Sequence, residues 1–413
     1  MYELLMFVFG IVLCILFVFL SAINLIILFS FFVRPKQVFF KPNVSIVVPV
    51  YNEEKNIKSC LESIFASDYQ RKKIEVIIVD DGCTDNTVAI AKEFKSVIII
   101  KNHHNGKADA LSKGIMQAKN EFIITIDADT IIEKNCIKNI VMPMHEPDVG
   151  AVCGFTKVRN KNSFLCWFQN IEYAYNNLVR EGFSRLFKYS IWFHGATSCY
   201  RASAIKKAGY LKSDTLSEDL DVSFKMCKYG FRTVNAGYAF SKTFVPENLT
   251  GFILQRTRWY AGVFQCLKKH KSLFNLKSYF SVLFIFINQF WWLFFAIISF
   301  PMFLLQILYW FPQATSFANV ALYFFRWFSL AGPVYVVYNL PVWGFSIYNF
   351  FGVMSGIITS LFLFISWFVS KDTAFLKVFF AVFFYFPYTI LINFCFVISI
   401  FRYKFYKESF FIR

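Results

Sequence analysis

Four short stretches carry the residue types that could do chemistry. "IITIDADT", residues 123–130, runs from an apolar segment straight into Asp127 and Asp129. In a strand, side chains alternate faces, so these two carboxylates project to one side with only Ala128 between them. Two like charges that close repel unless a cation lies between them. Hard divalent cations such as Mg2+ or Mn2+ select carboxylate oxygens and bridge to phosphate oxygens, so a metal-held phosphate is the chemistry this spacing suggests. "VDDG", residues 79–82, ends another apolar run at Asp81. "LSEDLDVSFKMCKYGFR", residues 216–232, is predicted to form a helix from Ser217 to Gly230, with Glu218 and Asp219 in its first turn. "QRTRWYAGVFQCLKKHK", residues 255–271, mixes rings and cations as a helix in a membrane interface does.

Each of these also has an ordinary explanation. Loop carboxylates cap following helices, first-turn acids meet the favourable end of the helix dipole, and an interfacial helix asks for no catalysis. For Asp127 and Asp129, the position after a buried strand, with Asp81 after a second one, favours the cation. Neither GxGxxG at the first two strand ends nor GxxxxGK[ST] anywhere supplies a glycine cradle for phosphate. A bound diphosphate would have to be neutralised otherwise, and a divalent ion on Asp129 with Asp127 beside it would serve.

The elements that must position these groups alternate in type. "VSIVVPV", "IEVIIVD", "SVIII", "EFIITID" and "VGAVCGF" read as strands, with helices from about residues 53, 85, 106 and 133 between them. Such alternation predicts an α/β sheet, rich in parallel pairs, with helices on both faces and ligands at the carboxyl ends of its strands.

With 413 residues, 57% of them hydrophobic and 21% aromatic, the chain is too apolar for an ordinary soluble protein. Residues 4–33 carry no charge and make one crossing, since roughly 20 apolar residues span a bilayer. No basic residue precedes them, and the run is too long for a cleaved signal peptide. Residues 279–401 divide into four crossings at about 279–304, 318–340, 346–370 and 374–401, broken at "FPQATS", "NLPVWG" and "SKDT". The formal charge of +17 follows the positive-inside rule and does not call for nucleic acid. "RPKQVFFKP", "LKKHK" and "FRYKFYKESFFIR" flank crossings on the side of the middle domain, which puts that domain and the basic tail, 402–413, in the cytoplasm. Lys371, Asp372 and Lys377 fall on the opposite, outer side. Ten cysteines without a CxxC pair exclude a disulfide framework or structural zinc as the organising device.

Taken in order, "VDDG", "DADT", "SEDLD" and "QRTRW" resemble the membrane-embedded processive family 2 glycosyltransferases, which include poly-N-acetylglucosamine, hyaluronan, chitin-oligosaccharide and cellulose synthases. The resemblance covers about residues 44–268 and implies a GT-A-like nucleotide-sugar-binding domain (α/β, with a mixed, mostly parallel sheet) inserted between transmembrane helices. The implied organisation is a transmembrane helix at 1–33, a cytoplasmic domain at 41–250, an amphipathic interfacial helix at 251–275 and the remaining crossings at 279–401. Tyr51 and Asp81 would hold uridine, with Lys107 of "NGKADAL" near the nucleotide. Asp129 would bind Mg2+ or Mn2+ on the diphosphate, with Asp127 helping to hold nucleotide and metal. Asp219, paired with Glu218, would be the general base, Ser217 replacing the family's usual Thr. Gln255, Arg258 and Trp259 would lie over the diphosphate and the acceptor. "WFHGATSCYRASAI", residues 192–205, falls where relatives line the acceptor site with small residues, here Gly195 and Ala196, with His194 beside them.

The function so implied is inverting, processive polymerisation of a UDP-sugar, UDP-N-acetylglucosamine being favoured, at the cytoplasmic face of the plasma membrane, with export of the glycan. Asn288, Gln289, Gln306 and Arg326, with Trp291, Trp292, Trp310 and Trp327, are candidates for lining an export path. Two other functions are open: transfer of one sugar to a membrane lipid acceptor, and a nucleotide-binding transporter or scaffold without transferase activity. Accessory subunits are left open.

Overall fold

The computed structural model describes residues 2–33, 38–310, 316–370 and 375–405. After a first helix, α1 (Tyr2–Ser30), the middle domain begins with β1 (Val44–Val50), a β-branched run buried along its whole length. It is flanked on both sides by parallel neighbours, β2 (Ile74–Asp80) and β4 (Phe122–Ile126), and β3 (Val97–Lys101) extends the block beyond β2. Alternation along β1 divides two cores. Val44, Ile46, Val48 and Val50 pack with α2 (Ile57–Phe65), while Val47 points to the other face with α4 (Lys107–Gln117). Two short helices, α3 (Thr87–Lys92) and α5 (Cys136–Val141), complete the alternation expected from the sequence.

The sheet has eight strands in the order β3-β2-β1-β4-β7-β6-β8-β5, the remaining four being β5 (Ile131–Ile132), β6 (Val149–Val158), β7 (Thr197–Arg201) and β8 (Arg232–Thr243). Beyond β4 the direction changes: β7 is antiparallel to both β4 and β6, and β6 is parallel to β8. The five expected strands are present within a few residues at their ends. The sequence reading has no counterpart for β5, β7 and β8, or for α6 (Phe164–Phe187). That helix buries Gln169, Asn170, Glu172, Asn177, Arg180, Glu181 and Ser184, so its inner face does not read as apolar. Next come α7 (Ala202–Lys207), α8 (Glu218–Lys228) and α9 (Leu249–Lys269).

The rest is helical: α10 (Phe280–Trp310), α11 (Phe317–Trp327), α12 (Ala331–Trp343), α13 (Ile347–Ser370), α14 (Phe375–Phe383) and α15 (Tyr385–Phe405). Among the described residues, Phe7–Ser30, Phe280–Pro301 and Phe350–Val369 are long and apolar enough to cross a membrane. Two of the expected crossings are not straight. The chain bends by 95° between α11 and α12 and by 65° between α14 and α15, and five spans result only if each bent pair counts as one. The bends meet, Leu330 N donating to Phe383 O at 3.0 Å. Helix α10 continues past 304 to Trp310, and α12 runs through Pro341 to stop at Gly344, whose φ of 77° suits glycine.

Lys377 corrects the expected topology. Val378, Ala381 and Val382 pack α14 against Ile171 of α6 and Leu363 of α13, and Lys377 Nζ donates to the carbonyl of Lys161 at 3.2 Å. Lys377 therefore lies on the domain's side, because the break before α15 lets α14 fold back onto α6. Lys371, Asp372 and the end of the basic tail lie outside the described residues, as do the side chains of Gln306, Trp310 and Trp327. Of the other polar candidates, Asn288 accepts from Trp292 Nε1 at 3.0 Å, Arg326 stacks 3.6 Å from the Tyr335 ring, and Gln289 Nε2 and Trp291 Nε1 are buried without a partner.

Candidate active site

The carboxyl ends of β1, β2 and β4 open on one side of the sheet because the three strands run parallel. Past β2, Asp81 is 4% exposed and accepts from three protein donors: Asn102 Nδ2 at 2.8 Å and Asn105 N at 3.2 Å on Oδ1, and Gly106 N at 3.1 Å on Oδ2. Past β1, the exposed Tyr51 ring stacks on His104 with centroids 4.2 Å apart, and His104 Nδ1 bonds the Asp81 carbonyl oxygen. Tyr51 and Asp81 are thus brought together through His104, a residue the sequence reading did not single out.

Past β4, Asp127 meets Lys107, the first residue of α4, with Nζ 2.6 Å from Oδ1. Burial lowers the Lys107 ammonium pKa, but Asp127, then Glu218 and Asp219, outweigh it and raise the net value. That electrostatic neighbourhood joins α4, the end of β4 and the first turn of α8. Asp129 Oδ1 accepts from Thr130 Oγ1 at 3.1 Å and Thr243 Oγ1 at 3.2 Å. Burial, then the nearby Asp127, raise its pKa. Glu53, after β1, is raised by burial and also feels Asp129 and Asp127, so a third acid from "PVYNEE" faces this pair. Among the described residues no three His, Cys, Asp or Glu side chains come close enough to hold a metal unaided. Two carboxylates held together by a cation suit Mg2+ or Mn2+, ions that usually take one or two protein carboxylates and complete their shell with phosphate and water.

The half-buried Asp219 is pushed up to about 7, by burial first and then by Glu218, against hydrogen bonds from the Leu220 and Gly195 amides and the charge of Lys107. Gly195 lies against it: a Cβ there would stand 3.3 Å from Oδ2. The small residue expected at this point is what lets the segment leading into β7 approach the acid. Its neighbour His194 bonds the Gly154 carbonyl through Nε2 at 2.8 Å and is held down to about 3 by burial and by Arg180. Arg180 was not foreseen. It is 8% exposed, its Nε has no partner, its Nη2 donates to Asn177 Oδ1 at 2.6 Å, and its charge reaches Asp219.

Helix α9 closes this side. A Cβ on Gly262 would stand 2.2 Å from Ser217 Oγ, so the helix seats flush on the start of α8, and Gln265 Oε1 accepts from Leu216 N at 2.7 Å. Gln255, Arg258 and Trp259 lie seven, four and three residues before Gly262 and share its helix face. Among the described residues Arg258 has no hydrogen-bond or ion-pair partner, and Gln255 Oε1 is buried without one. Arg256, on another face, is buried in a bidentate pair with Glu172 of α6 (2.7 and 2.9 Å), and Tyr388 of α15 donates to the same carboxylate. The rings of Tyr260 and Phe264 pack on Phe396 of α15.

Residues 45–209 match the family described as glycosyl transferase family 2. The poly-beta-1,6-N-acetyl-D-glucosamine synthase of Staphylococcus aureus (strain COL) is 32% identical over 224 residues, 53% of this chain and 54% of that protein. The synthase of the same name from Staphylococcus epidermidis is 33% identical over 229 residues, with the same coverage. The chain thus spans about half the length of the curated relatives it matches. A solved mannosyltransferase from Pyrobaculum calidifontis, in complex with GDP-Man and Mn2+, superposes with a TM-score of 0.57 at 19% identity, covering 88% of this chain and 99% of that one. That likeness establishes the GT-A-like glycosyltransferase fold.

Proposed function

We propose that this chain is an inverting, metal-dependent, processive β-glycosyltransferase that polymerises a UDP-sugar, UDP-N-acetylglucosamine being favoured, at the cytoplasmic membrane face and exports the glycan. One observation carries the reading: Lys107, Asp127, Glu218 and Asp219 share a single electrostatic neighbourhood although they come from three separate elements, with Asp129 alongside. The relatives named as poly-beta-1,6-N-acetyl-D-glucosamine synthases support the donor and the product class.

Tyr51, His104 and Asp81 frame the base end of a nucleotide, and Lys107 neutralises charge toward its phosphates. Asp129 and Asp127 would hold Mg2+ or Mn2+, which when bound spreads negative charge on a departing diphosphate. Asp219 takes the proton of the acceptor hydroxyl, and a pKa of about 7 matches a base working near neutrality. With base and leaving group on opposite faces of the sugar, an in-line displacement inverts an α-linked donor into a β-linked product. Arg258, free of protein partners among the described residues, offers charge to the diphosphate, and Trp259 offers a flat face to a sugar ring.

The test is to purify the full chain in lipid, supply labelled UDP-N-acetylglucosamine, UDP-glucose and UDP-glucuronate with Mg2+ or Mn2+, and size the products. Polymer from UDP-N-acetylglucosamine is expected. A single sugar on lipid would replace the reading with the lipid-acceptor one. No UDP release from any donor would leave a nucleotide-binding transporter or scaffold.

A further inference from the structure

We propose that Tyr173 of α6 is a further sugar-binding residue of the candidate active site, meeting the terminal sugar of the acceptor together with Trp259. The two rings are half-buried, with centroids 6.4 Å apart and planes inclined by 49°. The Arg256 guanidinium already covers one face of the Trp259 indole, 4.5 Å from the ring centroid. A pyranose presents a face of C–H groups and a rim of hydroxyls, and an indole with a phenol beside it offers an apolar surface and a polar handle to match. The inference rests on the reading of Trp259 as a surface for sugar.

Three observations place Tyr173 between the candidate metal acid and Trp259. Its ring packs on Val158, Cys166 and Val245. Val245 lies two residues past Thr243, whose hydroxyl donates to Asp129 Oδ1 at 3.2 Å. On the other side, Glu172, next to Tyr173 in the chain, takes Arg256, three residues before Trp259, in the bidentate pair at 2.7 and 2.9 Å. That buried pair fixes the two rings relative to each other before any sugar arrives, so ordering them costs little on binding.

The Tyr173 hydroxyl is the part that packing does not explain. Other deep tyrosines bond theirs to protein: Tyr69 to the Pro42 carbonyl at 2.5 Å, Tyr175 to Asn24 Oδ1 at 3.0 Å, Tyr189 to the Ser223 carbonyl at 2.9 Å and Tyr388 to Glu172. The Tyr173 hydroxyl has no hydrogen-bond partner among the described residues and, unlike Gln255 Oε1, it is not sealed from solvent. Phenylalanine would fill the same space. Burial pushes the phenol up to about 12, with Arg256, Glu172, Arg180 and Asp129 near enough to act on its charge. It therefore stays protonated near neutrality, able both to donate to and to accept from a sugar hydroxyl.

The experiment uses the full chain in lipid with UDP and Mg2+. Titration calorimetry measures binding of a β-1,6-linked N-acetylglucosamine oligosaccharide, the linkage in the names of the relatives, and a transfer assay from UDP-N-acetylglucosamine gives KM for the same oligosaccharide. Tyr173→Phe removes the unbonded hydroxyl alone. Tyr175→Phe removes the bonded one two residues along the same helix. Binding about tenfold weaker and KM raised alike in Tyr173→Phe, with UDP affinity and kcat near wild type and Tyr175→Phe matching wild type, supports the contact. Tyr173→Leu, which loses the ring as well, should bind more weakly still. Wild-type affinity in Tyr173→Phe, equal weakening in Tyr175→Phe, or no oligosaccharide binding by the wild type overturns it. Oligosaccharide binding that Tyr173→Phe weakens, in a wild type that releases no UDP from any donor, supports the sugar contact and removes the transferase reading instead.

Discussion

At the ends of β1 and β2, charge is settled locally: Asp81 takes its donors from Asn102, Asn105 and Gly106, within 25 residues along the chain. On the other side, where α6, α9 and α15 meet, the buried pair of Glu172 and Arg256 joins residues 84 apart, and Tyr388 is 216 residues from Glu172. The proposed donor side is therefore a set of strand-end loops that complete themselves. The proposed acceptor side is assembled only when distant helices lock together. In the proposed reaction product also moves on the acceptor side, and a buried ion pair between α6 and α9 fixes the helix that carries Arg258 and Trp259 while Tyr388 ties both to α15.

That contrast can be broken in graded ways. On the donor side, Asp129→Asn should lower transfer on the order of 10^3-fold, the scale of charge stabilisation by a bound metal, with weaker Mn2+ affinity by calorimetry. Unchanged Mn2+ affinity would remove Asp129 from the metal site. On the acceptor side, Arg256→Met should destabilise the full chain by about 3–5 kcal/mol, because Glu172 is left as a buried unpaired charge. Denaturation of the double variant Glu172→Met/Arg256→Met should show a smaller loss, and a larger one would mean that the pair does not act as a unit. Gly262→Ala should cost about 1–3 kcal/mol by forcing a methyl into Ser217, and should lower transfer while donor binding persists. The smallest effect concerns pH. Asp219 works as a base only when ionised, so transfer should fall as pH drops through about 7. Glu218 raises that value, so Glu218→Gln should move the acid limb to lower pH, and a limb that stays in place would assign it to another group.

How much of this is legible in the sequence follows the same division. The parallel block reads directly, since "VSIVVPV", "IEVIIVD" and "EFIITID" are buried β-branched runs and their acids follow at once. Glu218 and Asp219 are legible as first-turn acids, and Gly195 as a small residue near the acceptor. Their convergence with Lys107 is tertiary, and nothing in local spacing encodes it. Helix α6 eludes a periodicity reading because its inner face is polar: Arg180, Glu172 and Asn177 are buried by pairing and not by hydrophobicity. The bends at Phe328–Leu330 and Phe384 interrupt runs that hydropathy reads as continuous. Hydropathy counts apolar residues and does not sense a helix turning back, which is why Lys377 is found against Lys161.

The most direct measurement pairs two assays on Asp219→Asn in purified full-length protein: UDP binding, and polymer formed from labelled donor. The account predicts wild-type UDP affinity with transfer reduced by about 10^2- to 10^4-fold, the worth of a general base. Polymer made at the wild-type rate would contradict it.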